Sequence, residues 1–136
     1  MIILTSELRY ALRCNDIKRR AAMRDEKSAP DPVPVLKLFN PIGAATWLAT
    51  ELYGDGDTLF GLADLGFGCP ELGVFSLSEI ASVRLPYGMG IERDIGFESI
   101  HSISIWAEWS RRAGSILHAQ NLLRRAAAKE LPSADG

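Results

Sequence analysis

The chain predicts an α+β domain: a small antiparallel sheet of about four or five strands, with N-terminal, short central and C-terminal helices covering one face. Three observations carry that prediction. A proline-rich stretch, SAPDPVP, ends a helical pattern, and the hydrophobic period then drops to two. A GDGD segment, Gly54 to Asp57, separates two apolar runs as a hairpin loop does, since glycine and aspartate tolerate positive φ. From Ser102 onward the apolar residues return to helical spacing.

The elements follow in order. Thr5 or Ser6 can cap a first helix, with Leu8, Ala11 and Leu12 on one face. Ile17 lies on the opposite side, so Asn15-Asp16 reads as a break and IKRRAAMRDEK as a charged, solvated helix. Residues 1–29 therefore form a basic helical segment, followed by an exposed linker. The sheet core spans 33–98. VLKLFN alternates as a strand, Pro41-Ile42-Gly43 turns, and ATWLATELY and TLFGLADL pair across the GDGD loop. If Tyr53 pairs with Thr58, Glu51 opposes Phe60 and Trp47 opposes Asp64. One half-exposed face then carries Trp47, Glu51, Tyr53, Phe60 and Asp64. The other carries Leu48, Thr50, Leu52, Leu59, Gly61 and Ala63.

GFGCPELG turns the chain into a fourth strand, GVFSL. Ser76-Leu77-Ser78-Glu79 matches a capping box, in which Ser76 accepts from the third helical amide and Glu79 reaches back. Leu77, Ile80 and Ala81 face inward on the short helix that follows. IERDIGF is the last strand. The tail, 102–130, forms a helix or a helix pair divided at Gly114-Ser115, with Trp106, Trp109, Ala113, Ile116, Leu117, Gln120 and Leu123 on one stripe. LPSADG frays.

With 136 residues, of which 47% are hydrophobic and 24% charged, the chain fits one domain whose core needs no disulfide or metal staple. Cys14 and Cys69 lie far apart, in no ligand spacing. MIIL is too short for a signal or a membrane span, so a soluble, cytoplasmic protein with no membrane association is expected. Charge is uneven: +3 over Met1–Ala29, −7 over Pro30–Ile100 and +2 over His101–Gly136. An acidic body repels nucleic acid and attracts basic partners.

The order of motifs resembles a bacterial family, domain of unknown function 2958. VPVLKLFNPIGAATWLATEL, GDTLFGLADLGFGCPELGVFSLSEI and SVRLPYGMGIERDIGFE carry the resemblance, after an ILTSEL opening, from about Ile2 to about Ile105. KLFNP, ATW, DLGFGCPELG, SLSE and IERD are specific in combination; the tail beyond Gly114 lies outside it. The resemblance implies a gene of plasmids, integrative elements or phage-like DNA, with activity unassigned. Some such proteins carry a single-stranded DNA endonuclease label. Small accessory proteins of mobile DNA often inhibit host defences, including CRISPR effectors and restriction enzymes.

Each chemistry can be weighed on its residues. Gly66-Phe67-Gly68-Cys69-Pro70-Glu71 has two glycines of a dinucleotide fingerprint, but Glu71 replaces the third, Pro70 donates no amide and a strand follows. Cys69 has carboxylates nearby in sequence where a nucleophile wants positive charge, and reads as a small buried or half-buried thiol. His101 and His118 read as surface or packing residues. A metal-dependent nuclease would draw on Glu51, Asp64, Glu71, Glu92 and Asp94. Such a site usually pairs its carboxylates with a lysine, and Lys37 is the only lysine between Ala29 and Lys129; Arg84 and Arg93, the other central cations, read as structural partners of Glu92, Asp94 or Glu71. Nucleic-acid binding without catalysis would use Arg9, Arg13, Arg19, Arg20, Arg111 and Arg112. The leading expectation is a non-enzymatic protein with no cofactor and no metal, binding a protein partner such as a host defence complex. Its surface would hold Trp47, Glu51, Tyr53, Phe60, Asp64 and Glu71.

Overall fold

The computed structural model describes residues 2–130, with the side chains of 128–130 left aside. The LPSADG tail lies outside the described residues. The fold is α+β, with a five-stranded antiparallel sheet in the order β4-β3-β2-β1-β5. Its strands are β1 (Leu36–Phe39), β2 (Thr46–Leu52), β3 (Thr58–Asp64), β4 (Glu71–Ser76) and β5 (Glu92–Arg93). The helices are α1 (Ser6–Arg24), α2 (Leu77–Ala81), α3 (Ile103–Ala113) and α4 (Ile116–Glu130). No described helix is long and apolar enough to cross a membrane.

The helices cover both faces of the sheet, not one. Leu12 of α1 packs with Leu36, Leu38, Trp47, Ala49, Leu52 and Leu59 on one side. Ile103, Trp106 and Ala107 of α3, with Ile116 and Leu123 of α4, pack on Leu48 and Leu62 on the other. All seven residues of β2 are consequently buried. Alternation in β2 thus separates two cores, where a core and a half-exposed face were expected.

A bulge in β2 corrects the expected register. Glu51 opposes Phe60 as anticipated, but the pairing shifts between Ala49 and Glu51, so Asp64 opposes Thr46 and Trp47 opposes Ala63. Gly61 sits at this bulge; a Cβ there would lie 1.8 Å from the Leu48 carbonyl oxygen, so only glycine fits.

The first helix runs unbroken for 19 residues, capped by Thr5, whose hydroxyl accepts from the Leu8 amide at 3.2 Å. Asn15-Asp16 is no break. β1 pairs β2 only over Thr46–Ala49, which leaves Thr50 and Leu52 without a β1 partner. Asn15 Nδ2 donates to the Thr50 carbonyl at 2.9 Å, and Arg13 donates to that of Leu52 at 2.7 Å. The polar residues of α1 thus dock the helix onto backbone the sheet left unpaired.

The proline-rich linker is tied down as well. Asp31 accepts from the amide and hydroxyl of Ser104, and Ile103 donates its amide to the Pro32 carbonyl at 2.8 Å. The linker therefore caps α3, whose own N-cap Ser102 makes no side-chain cap bond. At α2, Ser76 accepts from the Glu79 amide as predicted, and Asp57 adds a second cap by accepting from the Ser78 amide and the Ser76 hydroxyl. Ile80 is buried there, but Ala81 is exposed. The last strand shrinks to Glu92–Arg93, because Asp94 turns the chain by accepting from the Gly96 amide. α3 and α4 divide at Gly114 (φ 84°), and Ser115 accepts from the His118 amide, as the sequence predicted.

Candidate functional site

The β3–β4 loop, residues 65–70, is the best-defined candidate surface, and a buried carboxylate builds it. Asp64 ends β3 with no exposed area. Its Oδ1 accepts from the Gly66 amide at 2.9 Å and its Oδ2 from the Ile116 amide at 2.9 Å, the latter at the start of α4. One side chain therefore holds the loop and caps a helix. Gly66 (φ 91°) and Gly68 (φ 82°) take left-handed backbone, and buried Pro70 pins the far end. Between the glycines Phe67 is 82% exposed, and Leu65 beside it is 58% exposed. An open cleft of about 510 Å³ lies alongside, lined by Gly68, Cys69, Pro70, Glu71, Leu72, Ala107 and Arg111. Cys69 is exposed, not the buried or half-buried thiol expected.

The carboxylates considered for a nuclease are not brought together. Glu51 is buried and paired with Arg19 at 2.5 Å. Asp64 is occupied as described. Asp94 lies 3.5 Å from Lys37 Nζ. Glu71 and Glu92 are exposed on β4 and β5, the opposite edges of the sheet. Among the described residues, no three His, Cys, Asp or Glu side chains converge in a way that could hold a metal ion. Lys37 is buried and donates to Gln120 Oε1 at 2.8 Å, which joins β1 to α4.

The expected half-exposed binding face does not form. Trp47, Glu51 and Asp64 are buried, Tyr53 and Phe60 half-buried, and only Glu71 of the six stands exposed. The second helical layer accounts for the difference. The guanidinium groups of Arg19 and Arg20 lie 5.3 and 5.8 Å from the Tyr53 ring centroid, where cation–π attraction operates.

The basic N-terminal residues divide in the same way. Asp16, fully buried, pairs with Arg13 at 2.7 Å and with Arg19 and Arg20 at 3.1 Å. Burial raises the Asp16 pKa, but hydrogen bonds from Arg13 and Arg20 outweigh it and leave the value below normal. The hydrogen bond to Glu51 holds the Arg19 pKa above normal. Arg13, Arg19 and Arg20 thus serve the fold, while Arg9 is exposed. On α3, Arg112 pairs with Glu108 at 2.7 Å, and Arg111 bonds to the Ala107 carbonyl at 3.2 Å while lining the cleft. Glu71 and Arg111, drawn from different candidate sets, meet in that one cleft.

Phe67 and Leu65 were missed by sequence reasoning, although a bulky apolar residue flanked by glycines in a turn was a readable signal. Tyr87 was missed too: it is 93% exposed with φ 65°, a conformation uncommon for a non-glycine residue.

Fold and site together define a small α+β domain: a helix-covered antiparallel sheet that presents a pinned apolar loop above an open cleft. The chain belongs to the family Protein of unknown function (DUF2958), whose profile matches residues 3–117 and so reaches the start of α4. No curated protein and no solved structure matches it.

Proposed function

We propose that this is a non-enzymatic binding protein that acts through the Leu65–Phe67 loop on another protein. The resemblance suggests the setting: an accessory protein of mobile DNA such as a plasmid or phage, working in the cytoplasm against a host defence complex of the CRISPR or restriction type. One observation carries the reading. Two apolar side chains stand in water on a loop fixed at both ends, by Asp64 and by Pro70. Exposed apolar surface on a held backbone costs little ordering entropy when a partner covers it. Glu71 and Arg111 beside it offer one charge of each sign for orientation.

The test pairs two assays on the whole protein. Binding to purified CRISPR effector and restriction complexes is measured for the native chain and for Phe67→Ser. Cleavage of single- and double-stranded DNA is measured with magnesium or manganese. Saturable binding that weakens by about tenfold or more in Phe67→Ser is expected. Metal-dependent cleavage that survives Phe67→Ser but is lost in Glu71→Ala would overturn the proposal.

A further inference from the structure

The two edges of the sheet are treated differently. At β5 the edge is two residues long and ends at the Asp94 turn. At β4 it runs six residues, Glu71–Ser76, with no lysine, no proline and one charge, Glu71. Natural sheets guard their edges with such devices, and β4 carries almost none.

The register shows which groups β4 leaves open. Leu77 donates its amide to the Asp57 carbonyl at 2.9 Å, so residues 57 and 77 form a hydrogen-bonded pair. Along the β3–β4 register the bonded pairs then alternate as Leu59–Phe75, Gly61–Gly73 and Ala63–Glu71. Leu72 and Val74 consequently point their amides and carbonyls away from β3. Their side chains share one face of the strand and are 44% and 61% exposed. Gly73 lies midway between them, and a Cβ there would meet nothing within 4 Å, so packing within the chain gives no reason for glycine.

We infer that β4 pairs with β4 of a second copy of this chain, antiparallel, about a two-fold axis at Gly73. In that register Leu72 of each copy exchanges both backbone bonds with Val74 of the other. Gly73 faces its own equivalent at a non-hydrogen-bonded position, where strands approach most closely. The antiparallel sense places Glu71 opposite Phe75 and keeps the two Glu71 carboxylates apart, whereas a parallel pairing would set them side by side. Because the β5 edge is guarded, self-pairing stops at two and does not grow into a filament. This inference rests on observations separate from the binding reading above, although Glu71 and Leu72 line the cleft of that reading and also lie in this interface.

Sedimentation of the whole chain across the micromolar range tests it, together with register-specific cross-linking. A reversible monomer–dimer equilibrium is expected, weakened by about tenfold or more in Val74→Lys, which sets an unpaired charge in the interface. Gly73→Cys, in a Cys14→Ser, Cys69→Ser background, is expected to form a disulfide-linked dimer on mild oxidation, and faster than Val74→Cys, whose cross-strand neighbour is Leu72. Circular dichroism of each variant establishes that it is folded. A chain that stays monomeric throughout overturns the inference. So does a dimer indifferent to Val74→Lys, or one that cross-links faster at 74 than at 73.

Discussion

The sheet is held by different means on its two faces. On one face α1 contributes a single buried leucine, Leu12, and a single buried aspartate, Asp16. Its grip depends on ion pairs and on side-chain bonds to the carbonyls of Thr50 and Leu52. On the other, α3 buries Ile103, Trp106, Ala107 and Ser110, and the union is mostly apolar. The difference follows from strand length. β1 has four residues against seven in β2, so α1 meets backbone that still needs hydrogen bonds. α3 and α4 meet side chains from Leu48 and Leu62. A helix laid across incomplete pairing has to be polar where it docks, and one laid across a finished sheet does not.

The contrast is broken most severely from the apolar side. Trp106 is almost fully buried and bonds through Nε1 to Ser99 Oγ at 2.8 Å. Trp106→Ala should cost about 4 kcal/mol, read as a fall in the urea midpoint that added salt leaves unchanged. Asp16→Ala should cost about 2–3 kcal/mol, since it leaves Arg13, Arg19 and Arg20 crowded without their shared anion. That loss should shrink in high salt, because all three guanidinium groups are partly exposed.

Acid sharpens the same distinction. The folded pKa of Asp16 lies below its ordinary 3.8. The stability it confers is therefore complete above the unfolded value and drains away as pH falls through the folded one. Asp31 follows, since Ser104 hydrogen bonds outweigh the burial that would raise it, as does Asp57, lowered chiefly by the Ser76 hydroxyl. Asp55, held by Thr58, is lowered to about 2. Hydrogen exchange below about pH 4 should accordingly rise in α1 before it rises in the interior of α3. The smallest expected effect has the opposite sign. Ser110 Oγ is buried with no hydrogen-bond partner, so Ser110→Ala should raise stability by up to about 1 kcal/mol, measured as a higher melting temperature.

The strands, the hairpin at GDGD and the division at Gly114 were legible because local period and turn chemistry decide them. The two-sided helical cover was not, since a central strand buried on both faces can alternate between two apolar sets as easily as between core and solvent. Asp16 illustrates the limit. In sequence it reads as part of a break at Asn15-Asp16 ahead of a solvated charged run, whereas the helix continues through it and turns that side toward the backbone of Thr50 and Leu52 that β1 leaves unpaired. Asp31, Asp57 and Asp64 cap helices from distant or adjoining elements, and no local motif announces a cap that arrives from elsewhere. Of the candidate site, Glu71 and Arg111 could be named from sequence, but their meeting in one cleft could not, because forty residues separate them. The nearby Phe67 was hidden inside a pattern read for its glycines, Cys69, Pro70 and Glu71.

Asp64 has a further consequence. Its carboxylate offers two equivalent acceptors, and the structure spends one on the Gly66 amide and one on the Ile116 amide. An asparagine of the same shape would turn a donor toward one of those amides, so the nearest isostere is excluded. The loop that shows Phe67 to solvent and the start of α4 thus share one anchor, in addition to Pro70 at the loop's far end and the packed Ile116 and Leu123 of the helix. A displacement of the loop at Gly66 therefore acts on the same carboxylate that accepts the Ile116 amide at the start of α4.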